Sequence, residues 1–155
     1  MELDFESNNY IGAGEVATLK ILQMLTGLEY RGLKRFKVSD GIFTQVPIEW
    51  IIPRKEFNEL SEPHQNGSID IFIKLNQIKI AVRVQGKGHG SYLSGIGKAK
   101  HDDIQEKVLK KYCQVVDVNH WECKSIFRDR VGGKAIEEII NSFKTAKVLI
   151  PSLPK

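Results

Sequence analysis

The sequence predicts an α/β domain: a central mixed β-sheet flanked by helices. Three observations carry that expectation. Two runs of period-two apolar alternation lie back to back between Ser68 and Lys87. A helical stretch and a short apolar strand follow, and amphipathic stretches sit near both ends of the chain. Alternation of this kind marks β-strands with one buried face. A strand–helix–strand passage marks a parallel crossover.

The chain has 155 residues, enough for one domain with a real core. Its 41% hydrophobic and 27% charged content reads as soluble and globular. No apolar run approaches the ~20 residues of a membrane span, and the acidic, polar start MELDFESNNY is unlike a secretory signal. Cys113 and Cys123 make no disulfide framework, which points to a reducing, cytoplasmic setting. His120 and Cys123 have metal-like spacing, but no second pair completes a zinc site. The net charge of +4 fits a polyanionic partner without requiring one. Residues 1–150 are expected to form the single domain and 151–155 a loose, proline-punctuated tail.

Residues 14–26 place Val16, Leu19, Leu22 and Leu25 at helical spacing, with Gly27 as the stop and Glu15 in the first turn. A carboxylate there complements the helix dipole. Arg31, Lys34, Arg35 and Lys37 fall within seven residues that hold no acid. Such a run is either a solvated face or a set of phosphate contacts. Ser39-Asp40-Gly41 is a turn signal between two strand-like runs, so a hairpin or a bent strand is expected over residues 35–53. A polar connection follows, with one helical turn at 55–60.

In the central stretch Ile69, Ile71, Ile73 and Leu75 alternate with Asp70, Phe72 and Lys74, and Ile78, Ile80, Val82 and Val84 with Lys79, Ala81, Arg83 and Gln85. A two-residue loop at Asn76-Gln77 sets Leu75 opposite Ile78, Ile71 opposite Val82 and Ile69 opposite Val84. Burying that row sends Asp70, Arg83, Gln85 and Lys87 to the other face. Asp70 then faces Arg83, with Gln85 on the diagonal. The glycine-rich stretch GKGHGSYLSGIG comes next, a lid, a DNA-contacting loop or a plain surface loop. An ordinary cross-strand ion pair between Asp70 and Arg83 is the plainer alternative.

An Asp early in one strand followed by Gln-Gly-Lys on the next resembles the PD-(D/E)xK nuclease superfamily. The resemblance covers residues 68–87 closely and 12–119 loosely. It implies a restriction-endonuclease-like core and Mg²⁺-dependent hydrolysis of DNA phosphodiesters, with Mn²⁺ as a substitute. It makes Asp70 the principal metal ligand, with Gln85 and Glu15 (in the motif GAGE) beside it. Lys87 would orient or help deprotonate the attacking water. Glutamine replaces the commoner glutamate at position 85; an amide oxygen still coordinates but brings no charge. Within the superfamily the chain is most similar to archaeal-type Holliday junction resolvases, homodimers that act on four-way DNA. Departures are Gln85 and the long connection before Asp70. Homing, restriction and repair endonucleases of the same core remain alternatives, as do a non-catalytic DNA-binding module and a structural protein. Arg31, Lys34, Arg35, Lys37, His89, Lys98, Lys100 and His101 are then the expected DNA contacts, bordering the cleft from both sides.

Residues 102–112 read as a helix capped by Asp102, with Ile104, Val108 and Tyr112 on one face and lysines at its end. CQVVDVN is a short buried strand, and residues 135–147 are an amphipathic helix turning Ile136, Ile139, Ile140 and Phe143 inward.

Overall fold

The computed structural model describes residues 13–60, 67–85, 104–119 and 134–153. Among these residues, four strands form one sheet in the order β1 (Gly41–Pro47), β2 (Ser68–Leu75), β3 (Ile78–Gln85) and β4 (Gln114–Asn119). The first two pairings are antiparallel and β3–β4 is parallel, so the sheet is mixed. Helices α1 (Ala13–Thr26), α2 (Arg54–Glu59), α3 (104–109) and α4 (Lys134–Ala146) flank it. No helix among the described residues is long and apolar enough to cross a membrane.

Two hydrophobic clusters place those helices in layers. On one face Leu19 and Leu22 of α1 and Ile139 and Phe143 of α4 pack on Ile71, Ile73, Ile80, Val82 and Val116. On the other, Leu109 of α3, Phe57 of α2 and the rings of Phe36, Phe43 and Phe72 surround Ala81 and Val115. Each fully buried aliphatic or phenyl side chain contributes about 1.5–3 kcal/mol relative to exposure. Val115 and Val116 therefore serve opposite layers, as the near-continuous apolar run of β4 requires.

The hairpin forms in the expected register, with Leu75 opposite Ile78 and Ile71 opposite Val82. Asn76 takes the left-handed conformation (φ 57°), which asparagine tolerates, and its N–H donates to the Asp40 carboxylate at 2.9 Å. Helix α1 stops at Gly27 (φ 74°), whose N–H reaches the Gln23 carbonyl at 2.9 Å.

Two expectations need correcting. The run before Ser39 is not a strand: Leu33–Arg35 is a 3₁₀ turn. That turn carries the Phe36 ring into contact with Phe43, Phe72 and Trp50, at 5.2, 5.4 and 5.8 Å between centroids. Ring burial overrides the local extended preference. Nor is the tail loose through residue 153. Pro151 is buried, and the Leu153 N–H donates to the Thr26 carbonyl at 3.0 Å, satisfying an acceptor that the end of α1 leaves open.

Candidate functional site

Asp70 occupies a break in the pairing of β2 with its neighbours. The β1–β2 register passes from Thr44–Ile71 to Val46–Ile69 and skips the position that would pair Gln45 with Asp70. On the other side, the β2–β3 register ends at Ile71–Val82. The expected pairings of Ile69 with Val84 and of Asp70 with Arg83 are thus not part of that ladder. In their place the Asp70 carboxylate accepts the Val84 N–H through Oδ2 at 2.8 Å.

A backbone outlier lies directly across the strand. Gln45 has φ 52°, a left-handed conformation that costs a non-glycine residue about 1–2 kcal/mol. The alternation shifts on both strands at this level. Phe43 and Val46 join one cluster although three residues apart, and so do Ile69 and Phe72, while Ile71 faces the opposite layer. Held outliers of this kind concentrate at functional sites. Gln45 Oε1 also accepts the Ser68 hydroxyl at 2.9 Å.

Arg83 is drawn toward β4. Its Nε and Nη2 hold both oxygens of Asp117, at 2.7 and 3.0 Å, and Nη2 lies 3.6 Å from the Glu106 carboxylate. Nη1 reaches Gln105 Oε1 at 3.5 Å. A buried guanidinium needs such partners, because an uncompensated charge out of water is strongly unfavourable. The helix α3 and strand β4 are thereby tied to β3 beside the backbone that Asp70 grips.

Gln85 is the last residue of β3 and pairs with Asn119 of β4. Its backbone is one residue beyond the N–H held by Asp70, at the end of the sheet where the parallel strands finish. In open α/β sheets that carboxyl end is where ligands bind. Glu15 belongs to the first turn of α1. The segment that follows that helix is fixed at the start of β1, where Ile42 exchanges hydrogen bonds with Glu29 and Arg31. The side chains of Glu15 and Gln85, and all of Lys87, His89, Lys98, Lys100 and His101, lie outside the described residues, as do Asp102 and the pair His120 and Cys123.

The basic segment does not border Asp70. Arg31 donates to the Asp40 carbonyl at 2.9 Å and pairs with Glu29 at 3.4 Å, and Gly41 stands opposite Lys74. Lys34, Arg35 and Lys37 are exposed in the same segment. Lys74 is four residues from Asp70 along β2, about 13 Å at ~3.3 Å per residue. β1 begins at the hairpin-turn end of the sheet and carries residues 31–37 there.

Carboxylate oxygens are the donors that an oxygen-preferring cation such as Mg²⁺ takes, so the chemistry of Asp70 fits that ion. Among the described residues no three histidine, cysteine, aspartate or glutamate side chains converge as a metal-binding group. Sequence reasoning missed two residues that shape this end of the sheet. Asp117 sat inside an apolar strand, where a lone acid signals a buried cationic partner. Gln45 carried no signal, since nothing local marks its left-handed φ. No protein-family model, curated protein or solved structure matches the chain.

Proposed function

We propose that the chain is a Mg²⁺-dependent DNA endonuclease that recognises DNA by shape, as Holliday junction resolvases do, and works as a homodimer. The observation that carries this reading is the Asp70–Val84 bond. It pins a carboxylate beside the backbone one residue before Gln85 and three before Lys87. The mixed sheet with helices on both faces agrees with the core that the resemblance implies.

In this reading Asp70 anchors the metal, with Glu15 and the Gln85 amide as further oxygen donors. The bound ion would activate water and offset charge on the phosphoryl oxygens. Lys87 would orient the attacking water or help deprotonate it, and offset the negative charge that develops in the transition state. The Val84 N–H fixes the carboxylate's orientation, which a metal ligand needs.

One observation favours a second reading, a non-catalytic DNA-binding module: Asp70 already has a structural task in joining β2 to β3. Incubating the protein with plasmid, linear and four-way-junction DNA, with and without Mg²⁺, separates the two. Mg²⁺-dependent cutting, fastest on the junction, is the expected result. Tight binding of every form without cutting in Mg²⁺ or Mn²⁺ leaves the binding module standing.

A further inference from the structure

The hairpin sets like charges against each other at the end remote from Asp70. Lys74 and Lys79 are directly opposite in the β2–β3 register, an arrangement that is unfavourable unless something offsets it. Lys74 is half-buried: its Nζ donates to the Phe36 carbonyl and sits 4.9 Å over the Phe36 ring. Burial of the ammonium, and then the charge of Lys79, push the Lys74 pKa down, while Asp40 pulls it the other way. Across the same hollow, Lys37 Nζ lies 5.6 Å from the centre of the Trp50 ring.

These groups enclose a pocket of about 210 Å³ lined by Phe36, Lys37, Trp50, Phe72, Lys74 and Lys79, with Ile51. Three amines and three aromatic rings meet there, and among the described residues no carboxylate lines the space. Its volume equals that of about seven waters at ~30 Å³ each, so it suits a phosphate and part of a flat ring rather than a large molecule. An anion relieves the repulsion between Lys74 and Lys79. An aromatic wall beside cations is the pairing by which proteins hold bases and phosphates together.

We propose that this pocket binds one nucleotide, its phosphate between Lys37, Lys74 and Lys79 and its base against Trp50. The nucleotide is either free or one unit of a single strand; the chemistry is common to both. The site lies about 13 Å along β2 from Asp70, and its occupancy does not depend on whether Asp70 supports cleavage.

The indole of Trp50 provides the readout, by fluorescence in a Trp121→Phe background and by the indole N–H resonance in the unaltered protein. Titrations use dAMP, inorganic phosphate and a short oligothymidylate. The expected result is a saturable change with dAMP or the oligonucleotide, and weaker binding of phosphate alone. Lys37→Ala and Lys79→Ala, both at exposed positions, each reduce nucleotide affinity roughly fivefold with the thermal midpoint unchanged. A tighter oligonucleotide identifies the source as a strand; equal affinity for dAMP identifies a free nucleotide. Equal affinity for phosphate and dAMP overturns the base contact and with it the proposal. So does the absence of any saturable Trp50 change in the millimolar range, or nucleotide binding untouched by both lysine substitutions. An Asp70→Asn protein, run alongside, keeps the Trp50 response whatever it does to cleavage.

Discussion

Arg83 and Asp117 face each other across the parallel β3–β4 pair and share a two-pronged bond, Nε to Oδ1 at 2.7 Å and Nη2 to Oδ2 at 3.0 Å. Their environments differ. The Arg83 side chain is 6% exposed and that of Asp117 40%. Removing the acid strands a charge out of water, whereas removing the arginine leaves an acid that solvent can reach. Asp117→Ala is therefore expected to cost about 3 kcal/mol, less whatever Glu106 and Gln105 retain. Arg83→Met should cost less, because the Asp117 carboxylate it leaves is one that solvent can reach. Urea unfolding of both variants checks the order. Equal costs, or the reverse order, would mean that burial of Arg83 does not set the energetics of the pair.

Cys113 gives a chemical prediction. Burial pushes its thiol up to about 11, against smaller opposing effects from the Ala81 backbone and Lys79. At pH 8 the thiolate is then about one part in a thousand, against roughly a quarter for a thiol of ordinary pKa near 8.5. Alkylation of the Cys113 peptide, followed by mass spectrometry, should be about 100-fold slower or more in the folded protein than in urea. Equal rates would show that the site opens readily. Because the folded pKa is the higher one, this group's contribution to stability is complete below about pH 8.5 and fades as pH rises toward 11.

The position of the basic segment changes what its removal should do. If Lys34 and Arg35 touch phosphates, Lys34→Ala with Arg35→Ala weakens binding about equally for all sequences. It also flattens the salt dependence by roughly 0.9 log unit for each phosphate no longer neutralised. Since this segment is at the far end of β2 from Asp70, the cleavage rate at saturating protein should stay within about twofold. Binding isotherms at several salt concentrations and single-turnover rates measure the two effects. An unchanged slope and affinity would leave these residues as a solubilising face.

Much of the fold was legible because it rests on local periodicity. Period-two alternation located Leu75 opposite Ile78 and Ile71 opposite Val82, and Gly27 marked the end of α1. What escaped depends on distant partners. Arg83 reads locally as the neighbour of Asp70, but parallel pairing with a strand 34 residues away gives it Asp117. The alternation through Ile69 and Asp70 fails opposite Gln45, which adopts a positive φ on another strand. Phe36 lies in a run that looks extended, yet its ring is drawn among Phe43, Phe72 and Trp50. Of the site, the sequence pointed to Asp70 and to the end of β3. It could not reveal that the Asp70 carboxylate also completes the backbone bonding of Val84.

That double duty decides which substitution tests the proposed chemistry. Asp70→Ala removes the acceptor for the Val84 N–H as well as the charge, at about 1–3 kcal/mol for a buried donor left unsatisfied. Asp70→Asn keeps an oxygen acceptor and removes only the charge. The decisive measurement is Mg²⁺-dependent cleavage of a four-way DNA junction by the unaltered protein and by Asp70→Asn, at matched thermal midpoints and with binding followed in parallel. The unaltered protein should cut, and Asp70→Asn should bind the junction with similar affinity and cut it at least ~100-fold more slowly, a loss of about 2.7 kcal/mol in transition-state stabilisation. Full cleavage by Asp70→Asn, or no cleavage of any DNA by the unaltered protein in Mg²⁺ or Mn²⁺, would contradict it.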